Sequence, residues 1–172
     1  MLKQIFMLSL LFFCLNCGNE NSRSSSNSPI VGTWSGCVTQ AGLFKAPILS
    51  ASFNFTFDNL GGFVGSYGYY GTPDCSGGPG VHVDELIGTY KIGGASSQVP
   101  SATEIDIEIT SCILAGSICD SNNWNAGNTV YEVFIVNSNS LVLGKCLRDS
   151  TCTSPSGRPT ILLTPLSKIQ FY

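Results

Sequence analysis

Few residues of this 172-residue chain have the types and spacing that chemistry needs. The only histidine, His82, stands in VHVD with Asp84 two residues on, a spacing that puts both on one face of a strand. Catalysis would need a nucleophile, a base and an orienting group within reach. Serines abound, but none is marked as activated and no G-x-S-x-G occurs. His82 and Asp84 are therefore expected to form a surface pair, and the chain is not expected to be an enzyme. Glu104, Asp106 and Glu108 alternate along TEIDIEIT. Carboxylates on alternate strand residues stand about 7 Å apart, too wide for one calcium ion without help from a neighbouring strand. A solvated outer face is the expectation. DSNNWNAGN fails as a calcium loop, because Trp124 stands where an oxygen ligand is required. No metal and no cofactor are expected.

The eight cysteines carry more information. Cys14 lies within, and Cys17 just after, an apolar run from Ile5 to Leu15, too short for the roughly 20 residues of a membrane-spanning helix. The run has the size of a secretory h-region. It ends in Asn16–Cys17–Gly18 and then a polar stretch, which resembles a bacterial lipobox of the relaxed kind tolerated in spirochaetes. That resemblance implies a signal peptide over 1–16, a diacylglycerol on the Cys17 thiol, and a lipidated flexible tether over 17–29. The folded domain then covers 30–172, anchored in a bacterial cell envelope at the outer membrane or cell surface. Removing 16 residues leaves seven Lys and Arg against 11 Asp and Glu. A net negative chain without a basic cluster argues against nucleic acid as a partner. Cys37, Cys75, Cys112, Cys119, Cys146 and Cys152 remain. An even count in an oxidising compartment is read as three disulfides, since zinc would want paired spacings or histidines.

The elements that position these residues have period 2. SASFNFTFD sets Ala51, Phe53, Phe55 and Phe57 against Ser52, Asn54, Thr56 and Asp58, and TEIDIEIT sets three isoleucines against three carboxylates. Such alternation predicts strands with one buried and one wet face. Further strands are expected at about 30–38, 63–71, 85–92, 129–136, 140–147 and 159–168. Eight strands in succession predict an all-β fold, a single eight-stranded antiparallel up-and-down barrel, because closure removes exposed edges.

IVGTW, FNFTFDNLGGFVGSY, GTYKIGG, SLVLGKC and LTPLSKI resemble small bacterial lipocalin-like domains of the calycin group. The resemblance implies that Trp34 plugs one end of the barrel beneath a basic residue, either Lys168 or Arg158. Avidin-type biotin binders share the GTW…GG…GSY rhythm, but their pocket needs several tryptophans, and only Trp34 and Trp124 are present. Alternation points Trp34, Phe53, Phe55, Phe57, Phe63, Tyr67, Tyr69, Leu86, Tyr90, Ile92, Ile105, Ile107, Ile109, Leu141 and Leu143 inward. So many large side chains predict a mostly filled barrel.

In an up-and-down meander, alternate loops share an end, and all six cysteines fall at the same one. Proximity suggests Cys112–Cys119 and Cys146–Cys152, leaving Cys37–Cys75. Lipid at one end and a stapled loop crown at the other suggest an interaction module. Its partner would be a host or envelope macromolecule, met by Trp124, Asn122, Asn123 and His82. Trp124 could instead fold over the barrel mouth as a lid. The alternative function is a carrier of a small hydrophobic ligand in the interior.

Overall fold

The computed structural model describes residues 28–39, 48–77, 83–114, 117–118, 126–149, 152–163 and 165–169. Their strands are β1 (Gly32–Thr39), β2 (Ser50–Phe57), β3 (Gly62–Tyr70), β4 (Val83–Ala95), β5 (Thr103–Leu114), β6 (Ser117–Ile118), β7 (Thr129–Asn137), β8 (Ser140–Leu143) and β9 (Leu166–Lys168). One four-residue helical turn, α1 (Cys146–Asp149), and a 3-10 turn at Pro155–Gly157 complete the elements. The sheet order is β4-β3-β2-β1-β9-β8-β7-β5-β6, and a β4–β5 pairing joins its ends. Eight antiparallel strands thus close into an up-and-down barrel, with the two-residue β6 appended to the end of β5.

Local chemistry sets the register. Asp58 ends β2, and its Oδ1 accepts the Leu60 and Gly62 amides at 2.7 Å each, which forms the tight DNLGG turn. The Phe57↔Phe63 pairing follows from that turn. Inward residues of β2 and β3 then meet ring against ring. Phe53 and Tyr67 lie 5.5 Å apart edge-on, Phe55 and Tyr67 5.6 Å, and Phe57 and Phe63 5.2 Å. Burying each such side chain contributes roughly 1.5–3 kcal/mol, and the edge-on contacts add to that. Ile105, Ile107 and Ile109 face the rings from β5 and are fully buried.

The expected inward set is otherwise confirmed, with Tyr69 and Tyr90 packed only partly buried against the core. Ile92 is the exception at 41% exposed. It lies beyond Tyr90 near the end of β4, where the β4–β5 register shifts between Ile92 and Ala95. Two strand extents also differ from the expectation. The segment expected as a strand over 140–147 leaves the sheet after Leu143, and that expected over 159–168 is strand only at its last three residues. Pro159 and Pro165 explain the second difference, since proline cannot donate to a ladder.

Residues 152–163 instead form a strap across the outside of β5 and β7. Val133 faces outward there and is completely buried, packed with Val99, Ala102, Ile135 and Leu162. Arg158 fastens the strap. Its Nη1 donates to the carbonyls of Ile105 (3.1 Å) and Glu132 (2.8 Å), and its Nε lies 3.3 Å from Glu104. Nη2 pairs with Asp106, and the guanidinium sits 5.2 Å from the Tyr131 ring centroid.

Candidate functional site

Two described segments of the cysteine-bearing end are each tied by a disulfide. The first, residues 71–77, follows β3. Cys75 is bonded to Cys37 on the outward face of β1, with Cα atoms 6.0 Å apart. Ser50 fixes the same segment from β2, donating to the Thr72 carbonyl at 2.6 Å and accepting the Cys75 amide at 3.1 Å. Thr39 donates to the Pro73 carbonyl. Cys75 takes the left-handed backbone region (φ 56°), a conformation that non-glycine residues hold only where their surroundings impose it. Asp74 is fully exposed; hydrogen bonds from Ser76, side chain first and backbone second, hold its carboxyl below the ordinary value.

The second segment begins where β8 stops. Gly144 still donates to Val133, but Cys146–Asp149 coils into α1, and a disulfide from Cys146 to Cys152 closes the loop. At Cys152 the chain rejoins the sheet, its carbonyl accepting the Tyr131 amide at 2.9 Å. Cys146 and Leu147 are completely buried and belong to the barrel core. The Leu147 peptide is gripped from two walls. Tyr67 on β3 donates its hydroxyl to the Leu147 carbonyl at 2.7 Å, and Glu132 on β7 accepts the Leu147 amide at 3.0 Å. Glu132 is fully buried, and its other oxygen accepts the Val133 amide at 2.8 Å. Only glycine fits at 144, because a Cβ there would lie 2.2 Å from Glu132 Oε1 and 2.3 Å from Pro159 Cγ.

Of the two basic residues considered for Trp34, the structure selects Lys168. β9 pairs Lys168 with Trp34, and its ammonium stands 5.3 Å from the indole centroid. The indole is fully buried and donates to the Ile30 carbonyl at 2.7 Å. Arg158 lies on the outer strap and turns the carboxylate row from a purely solvated face into its own binding frame. Among the described residues, no three His, Cys, Asp or Glu side chains converge as metal ligands.

Cys37–Cys75 and Cys146–Cys152 are thus formed, and Cys112 is also disulfide-bonded. Cys17, Cys119, His82, Asn122, Asn123 and Trp124 all lie outside the described residues. Of the expected loop-end residues, the described part of the structure therefore bears on the disulfide-tied segments alone. Glu132 and Tyr67 were not singled out as a pair by sequence. The available signal was a lone carboxylate in the otherwise apolar alternation of VYEVFIV, opposite an inward tyrosine. No known family model and no curated protein matches the chain.

Proposed function

We propose that the chain is an exported bacterial lipoprotein, held at the cell envelope through lipid on Cys17, that acts as a binding module through its disulfide-stapled loop end. A host or envelope macromolecule is the partner class. The observation that supports this reading is the division of labour within the barrel. Its interior is packed with its own aromatic rings, and two described segments of its loop end are each fastened by a disulfide. Loops held by a rigid scaffold are where binding residues concentrate. The packed interior leaves little room for a large apolar cargo.

The test uses the full chain and a Cys17→Ala variant expressed in a lipoprotein-competent bacterium. Intact masses should show a diacyl increment lost in the variant, and six cysteines alkylated only after reduction. Retention of the protein on immobilised envelope or host-matrix extract should fall with Trp124→Ala while the thermal transition stays unchanged. An unlipidated chain with free thiols, or retention indifferent to Trp124, refutes the reading.

A further inference from the structure

On the outer wall of the barrel, β4, β5 and β7 carry a shallow groove of about 150 Å³, a volume that in a closed cavity admits a six-membered ring. Cross-strand register lays its floor in two rows of three. Thr89, Glu108 and Thr129 stand opposite one another in the first row, and Lys91, Asp106 and Tyr131 in the second. Neighbours across strands stand about 5 Å apart and neighbours along a strand about 7 Å, so the rows span a patch of about 10 Å by 7 Å. Three features set this patch apart from an ordinary wet face. Lys91 is paired in register with Asp106, yet the carboxylate is taken from the strap side by Arg158, which is 7% exposed and engages Oδ1. Oδ2 is left for a ligand. Among the described residues, no ion pair or hydrogen bond occupies the side chains of Thr89, Lys91, Glu108 or Thr129. The Tyr131 ring is set by the same guanidinium, 5.2 Å from its centroid.

We propose that this groove binds one neutral sugar ring of a glycan. The charges decide against ions, because Lys91 and Arg158 balance Asp106 and Glu108. An anion would meet two carboxylates, and a cation would meet an ammonium and a guanidinium. A pyranose is uncharged and matches both rows. Its hydroxyls donate to Glu108 and to Asp106 Oδ2, and bonds to an ionised acceptor are stronger than neutral ones. Its oxygens accept from Lys91, Thr89 and Thr129. One C–H face of the ring lies on Tyr131, whose aromatic body supplies apolar contact beside a polar tip. Arg158 sets Asp106 and Tyr131 before a ligand arrives, so less ordering is needed on binding. The groove lies on the wall, and the inference does not depend on the loop-end reading.

The test titrates isotope-labelled full-chain protein by NMR with the methyl glycosides of glucose, galactose and mannose and with N-acetylglucosamine. At least one should bind with a Kd of about 1 mM or tighter. The largest shifts should fall on the amides of Thr89, Lys91, Asp106, Glu108, Thr129 and Tyr131. Glu108→Gln should weaken binding by about tenfold, the difference between a charged and a neutral acceptor. Glu108 is exposed and unpaired among the described residues, so this variant should keep the urea midpoint of the unaltered protein. Tyr131→Leu should weaken binding by about fivefold through loss of the aromatic face. The proposal is overturned if no sugar shifts these amides at about 50 mM, far above that Kd. Binding indifferent to Glu108→Gln overturns it too, as does inorganic phosphate or lysinamide binding there more tightly than every sugar. Trp124→Ala should leave sugar affinity unchanged; its loss would move the sugar to the loop end and overturn the wall site alone.

Discussion

Arg158→Ala is the substitution that most directly tests how the barrel wall is completed. The guanidinium is 7% exposed, while Glu104 and Asp106 are 27% and 40% exposed. Removing one partner of a buried ion pair costs about 3–5 kcal/mol. Both carboxylates here can regain water, which moves the expectation to the low end of that range. The carbonyls of Ile105 and Glu132 also lose their charged donor. The net expectation is about 3 kcal/mol of lost stability, or roughly 9 °C in Tm for a domain of this size. Arg158→Lys should recover only about 1 kcal/mol of this, because an ammonium cannot reproduce a planar fork reaching two carbonyls and two carboxylates. Urea unfolding with the disulfides intact reads these differences as a shift in midpoint at constant slope. Since the cation is buried, raising the salt to about 0.5 M should leave most of the difference in place. A loss under about 1 kcal/mol for Arg158→Ala would refute the assignment of Arg158 as the fastener. The strap would then be held by Leu162 and its apolar neighbours alone.

Two further outcomes follow from geometry. In the chain-entropy account, Cys37–Cys75, of sequence separation 38, should stabilise by about 4 kcal/mol, and Cys146–Cys152, of separation 6, by about 2 kcal/mol. Paired Cys→Ser variants compared by chemical denaturation check the order, and equal losses would contradict it. Gly88→Ala should be among the most damaging single changes, because a Cβ there would lie 2.2 Å from the Glu108 carbonyl oxygen, backbone that cannot rotate away. A loss of more than about 3 kcal/mol or failure to fold is expected, read by circular dichroism and expression yield.

Period-2 alternation made most of the wall legible, because one side of each strand is wet. SASFNFTFD and TEIDIEIT lie within a residue of β2 and the first part of β5, and their isoleucines and phenylalanines fill the interior. The reading failed where burial ceased to be one-sided. Val133 and Ile135 alternate with Glu132 and Phe134, yet both faces of β7 are covered, one by the core and one by the strap. Nothing in the local pattern announces a second covering layer; its only trace is Pro159 and Pro165 around an apolar ILL. Ile92 failed for the opposite reason, since a strand can run past the core it belongs to. The basic partner of Trp34 depended on a pairing between the first and last strands, and no local pattern distinguishes Lys168 from Arg158.

The irregular last third of the chain is a consequence of how little β9 can do. It offers two paired residues to β1, Trp34↔Lys168 and Ser35↔Ser167, and two to β8, Ser140↔Ser167 and Leu141↔Leu166. A seam this short closes the ladder but leaves the upper part of the wall without a full strand. The chain covers the deficit twice before it reaches β9. Inside, the disulfide loop sets Leu147 into the mouth between Tyr67 and Glu132. Outside, the strap lays Arg158 and Leu162 over β5 and β7, with a single bridge, Gly144↔Leu162, joining it to the end of β8. Glu132 serves both layers: its side chain holds the inner loop and its carbonyl accepts Arg158 of the outer strap. The Leu147 segment and the strap therefore share one anchoring residue. The shared anchor makes Arg158→Ala informative beyond stability, since a slackened strap should also speed exchange of the Leu147 amide.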